Sequence, residues 1–390
     1  MAELQNAQGT LTEPGRPAGL AAVGADVAAA NRGVSNVFDG QGPGMVREVL
    51  EVLEDDPSVA GRLFWLGARL SIRPALTIGS RLARVPWPWG LIEFAAGAVT
   101  PTPGSVRATI RLAHCTARLV RAAGVLPADG TRGVVLYMHG GGFLTCGANT
   151  HDRLVTKLSK YADTPVLVMN YRMMPKHSIG AAIDDCYDGY RWLRDSGYRP
   201  DQIVLAGDSV GGYLSLALAE RLLNEGEQPA AIVGMSPLMQ VANERRHAHP
   251  NVRSDAMFSA KTFDAFVDLI TRAGQRDKRP EEIYEPLDHI EPGLPHTLIQ
   301  VSGSEVLLHD ARLAARRLAA AGVSVQLRVW PGQMHVFQIA APLVPEAERS
   351  LRQIGSYVRD AIGPYDRVVS DSASSRLPPY TIHRRNGDSR

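Results

Sequence analysis

The chain has 390 residues, enough for one large domain or two ordinary ones. Its 45% hydrophobic and 21% charged content is that of a folded globular chain, not a disordered or fibrous one. Forty-two basic against 40 acidic side chains leave a net charge of +2, which gives no electrostatic case for a nucleic-acid or anionic-membrane partner.

In chain order, residues 1–44 are rich in Gly, Ala and Pro with weak periodicity and read as a flexible N-terminal arm. Residues 45–100 read as an amphipathic helical segment. Val46, Val49, Leu50 and Leu53 recur at helical spacing, as do Leu63, Leu66 and Leu70, and later Ile92, Phe94 and Ala95. Pro86, Pro88 and Gly90 break this block. Residues 106–119 suit two antiparallel strands.

From there apolar runs alternate with helical stretches. The runs lie at 134–138, 166–169, 203–206, 232–235, 298–301 and 325–330. The helices between them include 151–162, 183–196, 211–224 and 310–321. This alternation predicts an α/β fold with a mostly parallel, doubly wound sheet and helices on both faces. Right-handed crossovers then bring the loops after the strands together at one sheet edge. Residues 238–294 interrupt the alternation with a helix at 260–273 and read as a cap insertion. Residues 101–363 form the predicted catalytic domain, and the polar, Ser-rich 364–390 a flexible tail.

Gly207-Asp208-Ser209-Val210-Gly211-Gly212 joins a strand to a helix, the setting of a G-x-S-x-G nucleophile elbow. The turn exposes one hydroxyl, and glycines flank it where a side chain would clash. The same serine could instead be a plain N-cap, so the other motifs matter. His139-Gly140-Gly141-Gly142-Phe143 ends the earlier run at 134–138. Without side chains its glycines can bring backbone N–H groups close to a substrate. Gly141, Gly142 and Val210 are the expected oxyanion donors, with Gly140 shaping the turn and His139 a structural hydrogen-bonding residue.

Of the 11 histidines, His335 alone follows the last predicted strand in the slot expected of a general base. His151, His177, His247, His249 and His296 lie outside that slot. Two acids follow the strand at 298–301. Glu305 sits in the post-strand loop, which favours it; Asp310 has the place of an N-cap or first-turn residue. The order Ser209, acid, His335 is the one α/β-hydrolases use.

These motifs resemble the hormone-sensitive-lipase-like family of bacterial α/β-hydrolase esterases. H-G-G-G-F is whole, and the family's G-D-S-A-G-G appears with Val210 for alanine. Its Y-R-L-A-P-E block appears as Tyr171-Arg172-Met173-Met174-Pro175-Lys176, with lysine for glutamate, followed by Asp185. The continuation to Gly180 is similar to mycobacterial-type members. The family's D-x-L-x-D-E segment matches at Glu305, which the resemblance places on the catalytic aspartate. It also implies an eight-stranded sheet and a helical cap built from the N-terminal segment and the insertion.

The expectation is a serine carboxylesterase acting on short-to-medium acyl esters, with Ser209 as nucleophile, His335 as base and Glu305 as orienting acid. An amidase or deacetylase using the same triad is the alternative, and a non-catalytic small-molecule receptor a third. No cofactor or metal is expected: no H-E-x-x-H or clustered Cys/His is present. The three cysteines, Cys115, Cys146 and Cys186, are odd in number and read as reduced, mostly buried thiols. The first thirty residues lack a Sec-type leader, and no run approaches the ~20 apolar residues of a membrane span. A cytoplasmic protein with no stable membrane insertion is expected, non-Sec export and homo-oligomerisation being left open.

Overall fold

The computed structural model describes residues 47–81, 90–97, 102–242, 244–276 and 284–363. The predicted N-terminal arm, the C-terminal tail and the breaker at 85–89 lie outside them.

Among the described residues nine strands form one sheet: β1 (Leu50–Leu53), β2 (Val106–Arg111), β3 (Thr116–Arg121), β4 (Val134–Met138), β5 (Val166–Asn170), β6 (Ile203–Asp208), β7 (Ala231–Met235), β8 (Thr297–Ser302) and β9 (Val325–Trp330). Their order is β1-β9-β8-β7-β6-β4-β5-β3-β2. All neighbours pair parallel except β2 with β3 and β3 with β5. The six apolar runs are β4 to β9, and the pair at 106–119 is the antiparallel β2–β3 edge.

Successive residues of β4 feed opposite faces. Val134, Leu136 and Met138 join one apolar core, and Val135 and Tyr137 join the other. That period of two on a doubly covered sheet is why these strands read as unbroken apolar runs. The helices are α1 (Val59–Leu70), α2 (Ile72–Arg81), α3 (Gly90–Ala96), α4 (Asp152–Ala162), α5 (Ile179–Asp195), α6 (Val210–Asn224), α7 (Glu244–His247), α8 (Asn251–Ser254), α9 (Ala260–Arg276), α10 (Leu308–Ala320) and α11 (Pro345–Ile362). Buried residues of α5, α6 and α10 line the first core; those of α4 and α11 line the second. Beyond β7, residues 238–294 contain helices and no strand among those described, then return to β8.

The expected eight strands are joined by a ninth. Leu50 and Leu53, read above as helical, belong to β1, which pairs parallel with β9 at the sheet edge. A four-residue segment such as Leu50–Leu53 carries too little local preference to choose its own conformation. Backbone pairing with β9 decides it, and Glu54 adds an ion pair to Arg328 at 2.6 Å.

In α1 the leucines do not form the buried face. Val59, Leu63 and Leu70 are 74%, 63% and 70% exposed. The helix packs by its small residues: Gly61 and Ala68 are buried. A Cβ on Gly61 would meet Gln333 Nε2 at 2.9 Å. Ser58 caps this helix by accepting from Gly61 N–H, while its own N–H and hydroxyl donate to Glu346 of α11 at 2.6 and 3.0 Å.

Candidate active site

The strand order reverses direction around β4, with β5 on one side and β6 on the other. Ligand crevices of open α/β sheets lie at such a switch, beyond the carboxyl ends of the strands. Here Met138 of β4 pairs with Gly207 of β6. His139, the first residue past β4, therefore lies beside Asp208, the last residue of β6.

Ser209 stands one residue past β6 with φ +53° and ψ −121°, a strained conformation for a residue with a Cβ. Its neighbours hold it there: Ser209 N–H donates to Met235 O, and its carbonyl accepts from Leu238 N–H, both at 2.9 Å. The flanking glycines answer to backbone crowding. A Cβ on Gly211 would lie 1.9 Å from Met138 O, and one on Gly207 2.4 Å from the Gly211 backbone. Although Ser209 occupies the N-cap position of α6, its side chain makes no capping bond. The hydroxyl is thus free of the role that a plain N-cap would give it.

The glycine loop after β4 runs past this elbow. Gly141 and Gly142 adopt φ +105° and +64°. Among the described residues, no backbone hydrogen bond uses the N–H of Gly141, Gly142 or Val210. Gly140 N–H donates to Asp208 Oδ1 at 3.0 Å, and a Cβ there would collide with that carboxylate. His139 is fully buried. Its Nδ1 lies 2.6 Å from Gly140 O, and its ring stacks on Tyr171 at 4.4 Å. Tyr171 in turn donates to His139 O at 2.6 Å. Arg172 grips buried Asp185 through both its guanidinium and its backbone N–H. The Y-R-x-x-P block therefore props the glycine loop from behind.

Asp208 is a hub that sequence reasoning left unassigned. It accepts from Tyr137 Oη at 2.7 Å, from Gly140 N–H, and from His151 Nε2 at 3.2 Å. Burial alone would raise its pKa and lower that of His151. Their mutual attraction wins, so Asp208 is held below and His151 above its ordinary range. Neighbouring His139 is pushed down to about 4, first by burial and then by the His151 charge. His151, outside the post-strand slot, thus belongs to the support of the elbow. The acid in the elbow string was the only signal for it, since the partner stands 57 residues away.

Beyond β8 and β9, Glu305 and His335 meet. His335 Nδ1 lies 2.5 Å from Glu305 Oε2, with both side chains buried. Glu305 Oε1 accepts from Ser302 N–H and from Ser236 Oγ, each at 2.7 Å. Ser236, with φ +46°, also accepts from Val336 N–H at 3.1 Å. It ties the acid and the histidine loop to the end of β7, whose Met235 carbonyl accepts from Ser209 N–H. Burial would lower the His335 pKa, but the Glu305 carboxylate and its hydrogen bond raise it overall.

Asp310 is elsewhere. It pairs with buried Arg246 at 2.6 Å and accepts from Met239 N–H. The N-cap of α10 is Leu307, and Asp310 stands in that helix's first turn, the second of the two places expected of it. Its partners come from the insertion, which sequence spacing cannot reveal. Cys146 has its thiol pushed up to about 11 by burial, with Asp208 adding to the shift. Burial pushes Cys115 up to about 12, so both stay protonated at neutral pH.

A strained serine at a strand-to-helix turn over a parallel sheet, facing a glycine loop, defines an α/β-hydrolase. A family profile described as alpha/beta hydrolase fold matches residues 135–339. The chain is 63% identical to Esterase LipU of Mycobacterium tuberculosis over 297 residues, covering 75% of this chain and all of that protein. It is 58% identical over 338 residues to Carboxylesterase/phospholipase LipF of the same organism, covering 86% of this chain and 87% of the relative. Among solved structures, an esterase from the bacterial hormone-sensitive lipase family superposes with a TM-score of 0.63 at 30% identity, covering 74% of this chain and 99% of that one. The chain belongs to the hormone-sensitive-lipase-like family of bacterial α/β-hydrolases and is an ester hydrolase. Among the described residues no helix is long and apolar enough to cross a membrane.

Proposed function

We propose that this enzyme is a serine carboxylesterase in which Ser209 is the nucleophile, His335 the general base and Glu305 the acid that orients it. The observation that carries the reading is the buried Glu305–His335 pair at 2.5 Å. With Nδ1 engaged by Glu305, the ring's Nε2 is the nitrogen left to take a proton. It accepts the Ser209 proton as Oγ adds to the ester carbonyl, and the N–H groups of Gly141, Gly142 and Val210 receive the developing oxyanion. As the tetrahedral intermediate collapses, His335 gives that proton to the departing alkoxide, leaving an acyl-enzyme. Water then adds by the same route, and the acid is released from Ser209.

The substrates are uncharged short-to-medium acyl esters. The helices of the N-terminal segment and of the 238–294 insertion act as the cap over them. Phe258 meets His335 edge-on at 4.9 Å, and Phe266 of α9 stacks on Phe143 of the glycine loop at 6.3 Å. This lays an apolar wall over the base and the oxyanion loop, a setting that favours acyl chains over charged groups. The relative named a carboxylesterase/phospholipase brings glycerophospholipid esters into the test panel.

The test is purified Ser209→Ala beside wild type on nitrophenyl esters from acetyl to octanoyl, a nitroanilide and a phospholipid. Loss of turnover by about 10⁶-fold, with the fold retained, is expected. A variant keeping more than a few per cent would remove Ser209 from its role. Anilide rates matching ester rates would turn the reading to an amidase.

A further inference from the structure

Between α7 and α9, residues 251–258 lie against both halves of the Glu305–His335 pair. Asn251 Nδ2 donates to Gly303 O and to Glu305 O, both at 2.9 Å. Asp255 is buried, and its carboxylate is spent on backbone N–H groups. Oδ1 accepts from Met257 and Phe258 at 2.7 and 2.8 Å, and Oδ2 accepts from Val306 at 2.9 Å. Val306 is the residue after Glu305, and Phe258 carries the ring set edge-on to His335. From the other side, α1 and α2 hold the segment down. Arg69 donates to Asp255 O at 2.7 Å. Arg73 donates to the carbonyls of Asp255, Phe258 and Val252.

We propose that Asp255 is a positioning residue: its one carboxylate fixes the backbone beside Glu305 and the aromatic ring on His335, and so sets the geometry of the acid–base pair. This rests on the triad reading above. A carboxylate that accepts three backbone N–H groups from two segments leaves neither free to shift alone. A general base works only where its orienting acid holds it in place, and misplacement by about 1 Å costs on the order of 10²-fold. Arg69 and Arg73 make the same contact depend on the N-terminal helices, so the cap and the catalytic acid share one anchor. The charged groups facing His335 are Glu305, Asp255 and Asp208; Asp255 itself faces Glu305, and Arg69 and Arg73 face its loop.

The test uses full-length enzyme with a fluorophosphonate titrant that counts competent serines. Asp255→Asn replaces one of the two acceptor oxygens by an amide N–H₂ group, which then faces at least one of the three N–H donors. It should keep the titrated fraction while kcat per titrated site falls about 10²-fold. Removing one negative charge near His335 should also move the acid limb of the pH–rate profile to lower pH. A purely structural role would lower the titrated fraction and leave the rate per site and the limb unmoved, which would overturn the proposal. Asn251→Ala, which loses both carbonyl contacts and no charge, should lower kcat about 10-fold with the limb in place. If Asp255→Asn fails to fold, Asn251→Ala decides, and a rate per site within twofold of wild type would overturn the proposal. Wild-type label on a residue other than Ser209 would overturn the triad reading and this proposal together; label on Ser209 with unchanged variants would overturn this one alone.

Discussion

Glu305 and Asp310 stand five residues apart, and both are buried, yet their partners differ. Glu305 meets His335 and two serine-derived donors; Asp310 meets Arg246. Substituting each should therefore fail differently. Glu305→Gln is expected to keep the fold and lower kcat by roughly 10²–10⁴. Asp310→Asn strands a buried guanidinium and should destabilise the protein by about 3 kcal/mol, read from a denaturant melt, with rate per folded molecule retained. The reverse ranking of activities would exchange their roles. The raised His335 pKa carries a pH prediction as well. As the proposed base it must be neutral, so kcat/KM should rise with pH through an apparent pKa above the usual 6.5. The sign for stability is opposite. The protonated pair stabilises fully below pH 6.5, and that contribution fades as pH climbs through the folded value. In Glu305→Gln the acid limb should move down, and a limb that stays put would show that another group titrates.

At the scale of elements, glycines mark where backbones cross most closely. The α6 start passes so near β4 that a methyl on Gly211 would sit inside the Met138 carbonyl. Gly211→Ala should cost about 3 kcal/mol and displace Ser209, seen as a lower melting temperature together with a lower titratable fraction. On α1 the expected logic is inverted. Leu63 faces outward, so Leu63→Ser should change stability by no more than about 0.5 kcal/mol in the same assay. A larger loss would mean that Leu63 is covered in solution.

For the whole molecule, the N-terminal segment is part of the sheet as well as the proposed cap over it. β1 closes the β9 edge, Glu54 pairs with Arg328, and Glu51 with Arg312. A chain starting at Val59 should melt about 5 °C lower than full length by scanning fluorimetry. One that also lacks α1 and α2 loses Arg69 and Arg73 from the residue 251–258 segment, and should lose turnover beyond its loss of stability. Equal turnover per folded molecule in the two truncations would separate the cap from the chemistry.

The sequence by itself determined the parallel sheet, the elbow, the glycine loop and the slot of His335. Each of these is written locally: a buried strand is a short apolar run, and a crowded turn admits only glycine. The resemblance to a known family also drew Glu305 ahead of Asp310 on short-range spacing. Tertiary structure decided what depends on partners far along the chain. Val49 and Leu50 carry a helical period, yet β9, some 275 residues on, makes a strand of Leu50. His151 looked like one spare histidine among many until Asp208 faced it. Ser236 and Asp255 carry no motif, and their importance comes from which N–H and carboxylate groups the fold aims at them. A carboxylate or hydroxyl has no fixed role of its own in a chain; its neighbours in space, and the low dielectric they create, decide whether it anchors, orients or titrates.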